Sequence, residues 1–155
     1  MSETRTFRFG VIAVQKVSRQ EWQEKARRIE GAGFSTLLMT DHLGDDRLSP
    51  LPALVSAADA APALPVGTIV LNNDFRHPVL IAREAAAVDL LTDGRLQLGL
   101  GAGSIEAEDQ QAGLRFDRGR TRVERLAEAV TIIKGLLKGE TVTFTIGSIS
   151  FGPLP

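Results

Sequence analysis

Four short apolar runs, residues 9–14, 36–39, 66–71 and 96–100, alternate with stretches whose apolar residues recur at helical spacing. This alternation leaves few folds open. Strands joined through a helix run parallel, because the crossover returns the chain to start the next strand in the same direction. In parallel sheets covered by helices, ligands bind at the carboxyl ends of the strands. The last three runs lead into Thr40-Asp41-His42, Asn72-Asn73-Asp74 and Gly101-Ala102-Gly103-Ser104. The pattern therefore places these three loops on one face, which becomes the candidate functional surface.

The segments between the runs carry helix signals. Ser18 with Glu21 three residues on is a capping box, and Trp22, Ala26 and Ile29 form an apolar stripe that ends at Gly31 and Gly33. Ser49-Pro50 opens a second helix, with serine as cap and proline in the first turn, running to Pro62. A third starts near Pro78 and ends at Thr92-Asp93-Gly94. In the run 96–100 the three leucines share one face and Gln97 and Gly99 the other, which points the leucines at the helices. A short helical stretch, 105–112, precedes a long helix over 118–138. Its predicted stripe is Val123, Leu126, Ala127, Val130, Ile133 and Leu137. Residues 141–151 alternate as a hairpin around Gly147-Ser148, a type II′ signal.

The predicted architecture is α/β: about four βα units plus a hairpin, where a closed (β/α)8 TIM barrel has eight units and typically about 250 residues. Residues 1–155 read as one domain, the N-terminal half of such a barrel. The net charge of −1 gives no electrostatic reason to expect nucleic acid or an anionic membrane as partner. With no cysteine, disulfides, thiolate metal sites and cysteine nucleophiles are excluded, and the two histidines make a metal site an unfavoured reading. Residues 1–8 have no signal-peptide pattern, and no apolar stretch approaches the roughly 20 residues of a membrane span. A soluble cytoplasmic protein is expected.

Each candidate loop has a structural and a functional reading. His42 at a strand's carboxyl end is placed to shuttle a proton near neutral pH, while Asp41 either works with it or caps the next turn. In the loop 72–78, asparagine and aspartate are common turn formers, and Arg76 either binds an anion or pairs with Glu84 or Asp74. The Gly99-Leu100-Gly101-Ala102-Gly103-Ser104 turn lets backbone approach a ligand. It lacks the third glycine of a dinucleotide fingerprint and follows the fourth strand, which disfavours a nicotinamide site. The arginines 115, 118, 120, 122 and 125 interleave with Asp117, Glu124 and Glu128 and read as a solvated, salt-bridged helix start rather than a phosphate site.

Taken together, Ala32-Gly33-Phe34, Thr40-Asp41-His42, the run from Val66-Gly67-Thr68 to Arg76-His77-Pro78, Ala82-Arg83-Glu84-Ala85, Asp89 to Arg95, Leu98 to Gly103 and Arg122-Val123-Glu124-Arg125-Leu126 resemble the luciferase-like monooxygenase superfamily, most closely its branch dependent on the deazaflavin coenzyme F420. The resemblance covers nearly the whole chain. It implies a barrel that holds coenzyme F420, or alternatively FMN, and an oxidoreductase or monooxygenase acting on a small molecule. By this analogy Asp41 and His42 lie beside the ring as catalytic residues. A non-proline cis peptide within 68–71 backs it through Ile69 and Val70, and Asn72, Gly101, Ala102, Gly103 and Ser104 complete the cofactor contacts. Two departures stand out. Ser104 replaces the acidic residue of the sugar-phosphate dehydrogenase branch, and relatives run to about twice this length. A truncated or half-barrel form without activity of its own is therefore the alternative. An open half-barrel exposes strand edges and its inner wall, so a homodimer is expected.

Overall fold

The computed structural model describes residues 7–44, 46–146 and 149–154. Strands β1 (Gly10–Ile12), β2 (Thr36–Met39), β3 (Val66–Thr68), β4 (Leu71–Asn72), β5 (Leu96–Gln97) and β6 (Leu100–Gly101) alternate with helices α1 (Arg19–Gly31), α2 (Pro50–Ala60) and α3 (Pro78–Leu91). Then follow α4 (Glu106–Gln111), α5 (Gly119–Leu137) and the hairpin strands β7 (Val142–Ile146) and β8 (Ile149–Leu154). The first sheet has the order β1-β2-β3-β5, and all its pairs are parallel. β4 and β6 form a parallel pair in the chain path beyond β3 and β5. The hairpin pairs antiparallel with an irregularity between Val142 and Phe144; the predicted turn at Gly147-Ser148 lies outside the described residues.

The helices begin where local chemistry directs. The Ser18 hydroxyl accepts from the Glu21 amide, and the Glu21 carboxylate accepts from the Ser18 amide, closing the capping box. α2 starts with proline in its first turn, but Ser49 makes no side-chain cap bond, contrary to its predicted role. A capping side chain accepts from the second or third helical amide, and the third residue here is Pro52, which has no amide to donate. α3 is capped by His77, whose Nδ1 accepts from the Val79 amide at 3.3 Å.

Two apolar clusters glue helices to sheet. In the first, Trp22, Ala26 and Ile29 of α1 and Leu54, Ala57 and Ala58 of α2 cover Leu37, Met39 and Val66. In the second, Ile81, Ala82 and Val88 of α3 and Ala129 and Ile133 of α5 pack on Leu71, with Leu96, Leu98 and Leu100 alongside. The leucines of the fourth run do face the helices. The α5 stripe differs from the expectation: Ala129, Ile132, Ile133 and Gly135 are buried, whereas Val123 and Leu137 are exposed. The buried face is turned because its N-terminal part carries Arg122 and Arg125 inward, a charged continuation that a hydrophobic pattern does not register. Among the described residues, no helix is long and apolar enough to cross a membrane.

One arginine ties the helix ends together. Arg95, just before β5, donates from Nε to the Thr92 carbonyl, from Nη1 to the Ala61 and Leu64 carbonyls, and from Nη2 to the Ala58 carbonyl, at 2.7–3.1 Å. It satisfies carbonyls left open where α2 ends and fits the planar fork of a guanidinium. Lysine has no such fork, so Arg95→Lys should lower unfolding free energy by about 3 kcal/mol, read from urea denaturation.

Candidate active site

The third apolar run does not continue as one strand. The Ile69-Val70 peptide bond is cis, within the predicted interval, and divides the run into β3 and β4. On either side of the break the backbone changes partner. The Ile69 amide donates to the Met39 carbonyl at 2.7 Å, and the Leu71 amide donates to the Gly99 carbonyl at 2.8 Å. Ile69 and Val70 stay 44% and 40% exposed and form an apolar wall.

The glycine turn lies against this break. The Thr68 hydroxyl donates to the Gly99 carbonyl and accepts from the Gly99 amide, at 2.8 and 3.0 Å. A Cβ on Gly99 would collide with the Thr68 carbonyl, and one on Gly101 with the Val70 side chain. Gly103 has φ 75°, in the left-handed region, beside the Asn72 amide group. Strand packing therefore demands the first two glycines, whereas the sequence alone had offered only close approach to a ligand. The bare backbone that results also lines a cleft.

That cleft, of about 300 Å³, is lined by Asp41, His42, Ile69, Val70, Asn72, Gly101, Ala102, Gly103, Ser104 and Glu108. The residues that the resemblance implied as catalytic or cofactor-binding all line this cleft, whereas Asn73, Asp74, Arg76 and Gly99 of the candidate loops do not, and Glu108, not named from the sequence, joins them. Their roles divide. The Asp41 carboxylate is buried and receives both arms of Arg76, at 2.5 Å from Nη1 to Oδ2 and 3.2 Å from Nη2 to Oδ1. Its Oδ2 also accepts from the Asn72 amide at 3.1 Å. The Asn72 side chain in turn accepts from the Asp74 amide at 3.0 Å. Asp41 is thus a tie between the end of β2 and the end of β4. The ring of His42 is engaged by Glu108, with Nδ1 and Oε2 3.1 Å apart. Arg76 pairs with Asp41 and, at 3.7 Å, with Glu84; it does not pair with Asp74, whose partner is Arg125 at 3.2 Å.

The arginine-rich start of α5 corrects the sequence reading in part. Arg120 and Glu124 form the predicted exposed pair at i,i+4. Arg122 and Arg125 turn inward instead. Arg122 donates to the carbonyls of Ala102 and Gly103 and stacks over Phe116 at 3.9 Å, clamping the glycine turn from behind. Arg125 bridges Asp74 and Asp117. No spacing rule separates these two from their solvated neighbours, because the distinction is made by what lies across from them.

Asp109 of α4 is 1% exposed and its Oδ2 has no hydrogen-bond partner. Burial first, and then the Asp74 carboxylate, push its pKa up, partly offset by Arg122. Among the described residues no group of three or more histidine or acidic side chains could hold a metal ion.

Two outcomes follow from these environments. Asp41→Ala leaves Arg76 without its buried partner and should cost about 3–5 kcal/mol in a denaturation experiment, whereas half-exposed His42→Ala should cost under about 1 kcal/mol. A carboxyl group with a raised folded pKa stabilises only while protonated, so its penalty grows as pH rises through that value. Asp109→Asn should therefore raise Tm at neutral pH, and the gain should vanish as pH falls below the ordinary aspartate value of 3.8.

Residues 6–147 match the luciferase-like monooxygenase family. An F420-dependent glucose-6-phosphate dehydrogenase of Beutenbergia cavernae is 35% identical over 121 residues, covering 74% of this chain and 36% of that protein. A 4-hydroxyprotoasukamycin monooxygenase of Streptomyces nodosus subsp. asukaensis is 37% identical over 120 residues, 76% of this chain and 32% of that protein. Among solved structures, an F420-dependent secondary alcohol dehydrogenase in complex with an F420–acetone adduct superposes with a TM-score of 0.82 at 22% identity, over 95% of this chain and 47% of that one. The chain thus spans about a third of the length of the curated relatives it matches, and the shared fold is that of the luciferase-like barrel. The match over residues 6–147 shows that the chain belongs to the luciferase-like monooxygenase family.

Proposed function

We propose that this chain is the cofactor-holding part of an oxidoreductase that uses coenzyme F420, with FMN as the alternative, on a small organic molecule. The observation that carries the reading is the cleft, where the apolar wall at Ile69 and Val70 meets the side-chain-poor turn from Gly101 to Gly103. A flat tricyclic ring fits such a pairing of apolar surface and bare backbone, with a few polar groups at the edge to orient it. The residues present therefore suit the group.

When bound, a deazaflavin supplies hydride transfer and a reduced flavin supplies oxygen activation as well. The protein's part is binding, orientation and proton handling. Ile69, Val70, Asn72, Gly101, Ala102, Gly103 and Ser104 would hold the ring, the first two through apolar contact and Asn72 and Ser104 through their polar side chains. His42 moves the proton that accompanies the change at the reacting centre. Asp41 acts at one remove, holding the Asn72 amide and Arg76 in place rather than meeting the ring. Ser104 stands where the sugar-phosphate dehydrogenase branch is acidic, so a substrate other than a sugar phosphate is proposed, and residues 1–155 act as one unit of the barrel.

Self-association belongs to this reading. Phe7, Phe9 and Ile12, at and just before β1, are 91%, 68% and 54% exposed, large apolar surfaces that a partner copy would cover.

The test is native mass spectrometry of the chain with F420 and FMN each added, alongside titration of F420 fluorescence. A dimer that takes up F420 is the expected result. Uptake of FMN alone would transfer the reading to flavin chemistry, and a monomer that binds neither would overturn it. In the cofactor-loaded enzyme His42→Ala should keep binding and lower turnover by about 10²–10⁴-fold.

A further inference from the structure

His42 has a defined neighbour that no feature of the sequence singled out. Glu108 lies 66 positions further along the chain, and its Oε2 is 3.1 Å from His42 Nδ1. The side chains are 16% and 35% exposed, so the pair sits at the cleft rim, partly shielded from water. With a neutral ring the contact is a single hydrogen bond between His42 and a carboxylate, so it bears directly on which ring nitrogen carries the hydrogen.

The surroundings hold Glu108 in place. It belongs to α4, the short helix that follows the glycine turn. The turn is clamped by Arg122 through the Ala102 and Gly103 carbonyls. The next residue on the helix, Asp109, is buried and so fixes which way α4 faces. Glu108, one position earlier, is left at the cleft edge.

We propose that Glu108 is the positioning residue of His42: its carboxylate keeps the ring hydrogen on Nδ1 and leaves Nε2 as the bare nitrogen offered to the occupant of the cleft. A carboxylate only accepts, so the nitrogen that faces it carries the hydrogen, and the other nitrogen of a neutral ring is then an acceptor. A base held in one tautomer is ready to take a proton without first exchanging its own. The assignment deepens the proposed oxidoreductase reading and rests on it for the word catalysis, but its test needs no cofactor.

The chain contains two histidines, and the second is a built-in control. His77 Nδ1 accepts from the Val79 amide, so its neutral ring carries the hydrogen on Nε2, the opposite tautomer. Long-range ¹H–¹⁵N correlation spectra of the labelled, cofactor-free chain distinguish the two. They would be recorded near pH 9, well above the ordinary imidazole value of about 6.5. His42 should show a protonated Nδ1 and a bare Nε2, and His77 the reverse. In Glu108→Ala the His42 pattern should shift toward the Nε2-protonated form while His77 stays unchanged. A wild-type His42 that matches His77, or a His42 pattern indifferent to Glu108→Ala, would overturn the assignment. The wild-type spectrum decides even where the variant does not fold. Failure to bind F420 would sink the oxidoreductase reading and leave these spectra untouched, so the two failures are told apart.

Discussion

The Asp41 carboxylate holds the carboxyl end of the sheet together. It stands at the end of β2, takes both arms of Arg76 and also accepts from the Asn72 amide. Burying a carboxylate is costly unless charge and hydrogen bonds meet it on all sides, and here a bidentate guanidinium and a backbone amide do so. The segment beyond Val70 is thereby tied to the end of β2, while its pairing with β6 and the Leu71 amide bond to the Gly99 carbonyl hold its other edge. The position of Asn72, the exposure of Ile69 and Val70, and the seat of the glycine turn beside them all depend on that anchor. Asp41 also lines the cleft, so the same carboxylate belongs to the architecture and to the candidate site.

The same logic extends outward in layers. The glycine turn is pressed against the displaced strand so closely that Gly99 and Gly101 have no room for a side chain. Its carbonyls are gripped from behind by Arg122, itself braced on Phe116. Arg125 joins the loop after β4 to the start of α5 through Asp74 and Asp117. These cations are consumed by the protein's own carbonyls and carboxylates. What lines the cleft besides the bare glycine backbone is the apolar pair Ile69 and Val70, the polar Asn72 and Ser104, and the carboxylates and imidazole of Asp41, Glu108 and His42, with no arginine or lysine among them.

The residues that line the cleft are thus brought together within this stretch of chain. Membership of the luciferase-like monooxygenase family fits the parallel sheet order, and the chain matches about half of a solved relative's length. Stability within the stretch comes from two helix-on-sheet clusters and from the Arg95 staple between the ends of α2 and α3. Each is local to successive βα units, so the site rests on contacts the chain makes with itself.

Much of this was legible in the residues alone. The βα alternation, the capping box at Ser18, the proline starts of α2 and α3 and the glycine stops are local effects, written in spacing and in backbone preference. Parallel topology then brought Asp41, His42, Asn72 and Gly101 to one face, because the carboxyl ends of successive parallel strands lie side by side. What only the tertiary structure decided was pairing. Of the two partners that the sequence offered Arg76, Glu84 lies at 3.7 Å and Asp74 is not paired with it, while both arms of the guanidinium go to Asp41, 35 residues away. Glu108 and His42 met across 66 residues, and Arg122 was separated from its solvated neighbours by the turn opposite it. A sequence carries the type of a charged side chain and its place on an element. Its partner is set by whichever group the fold brings within hydrogen-bond reach, and that is a property of three-dimensional packing.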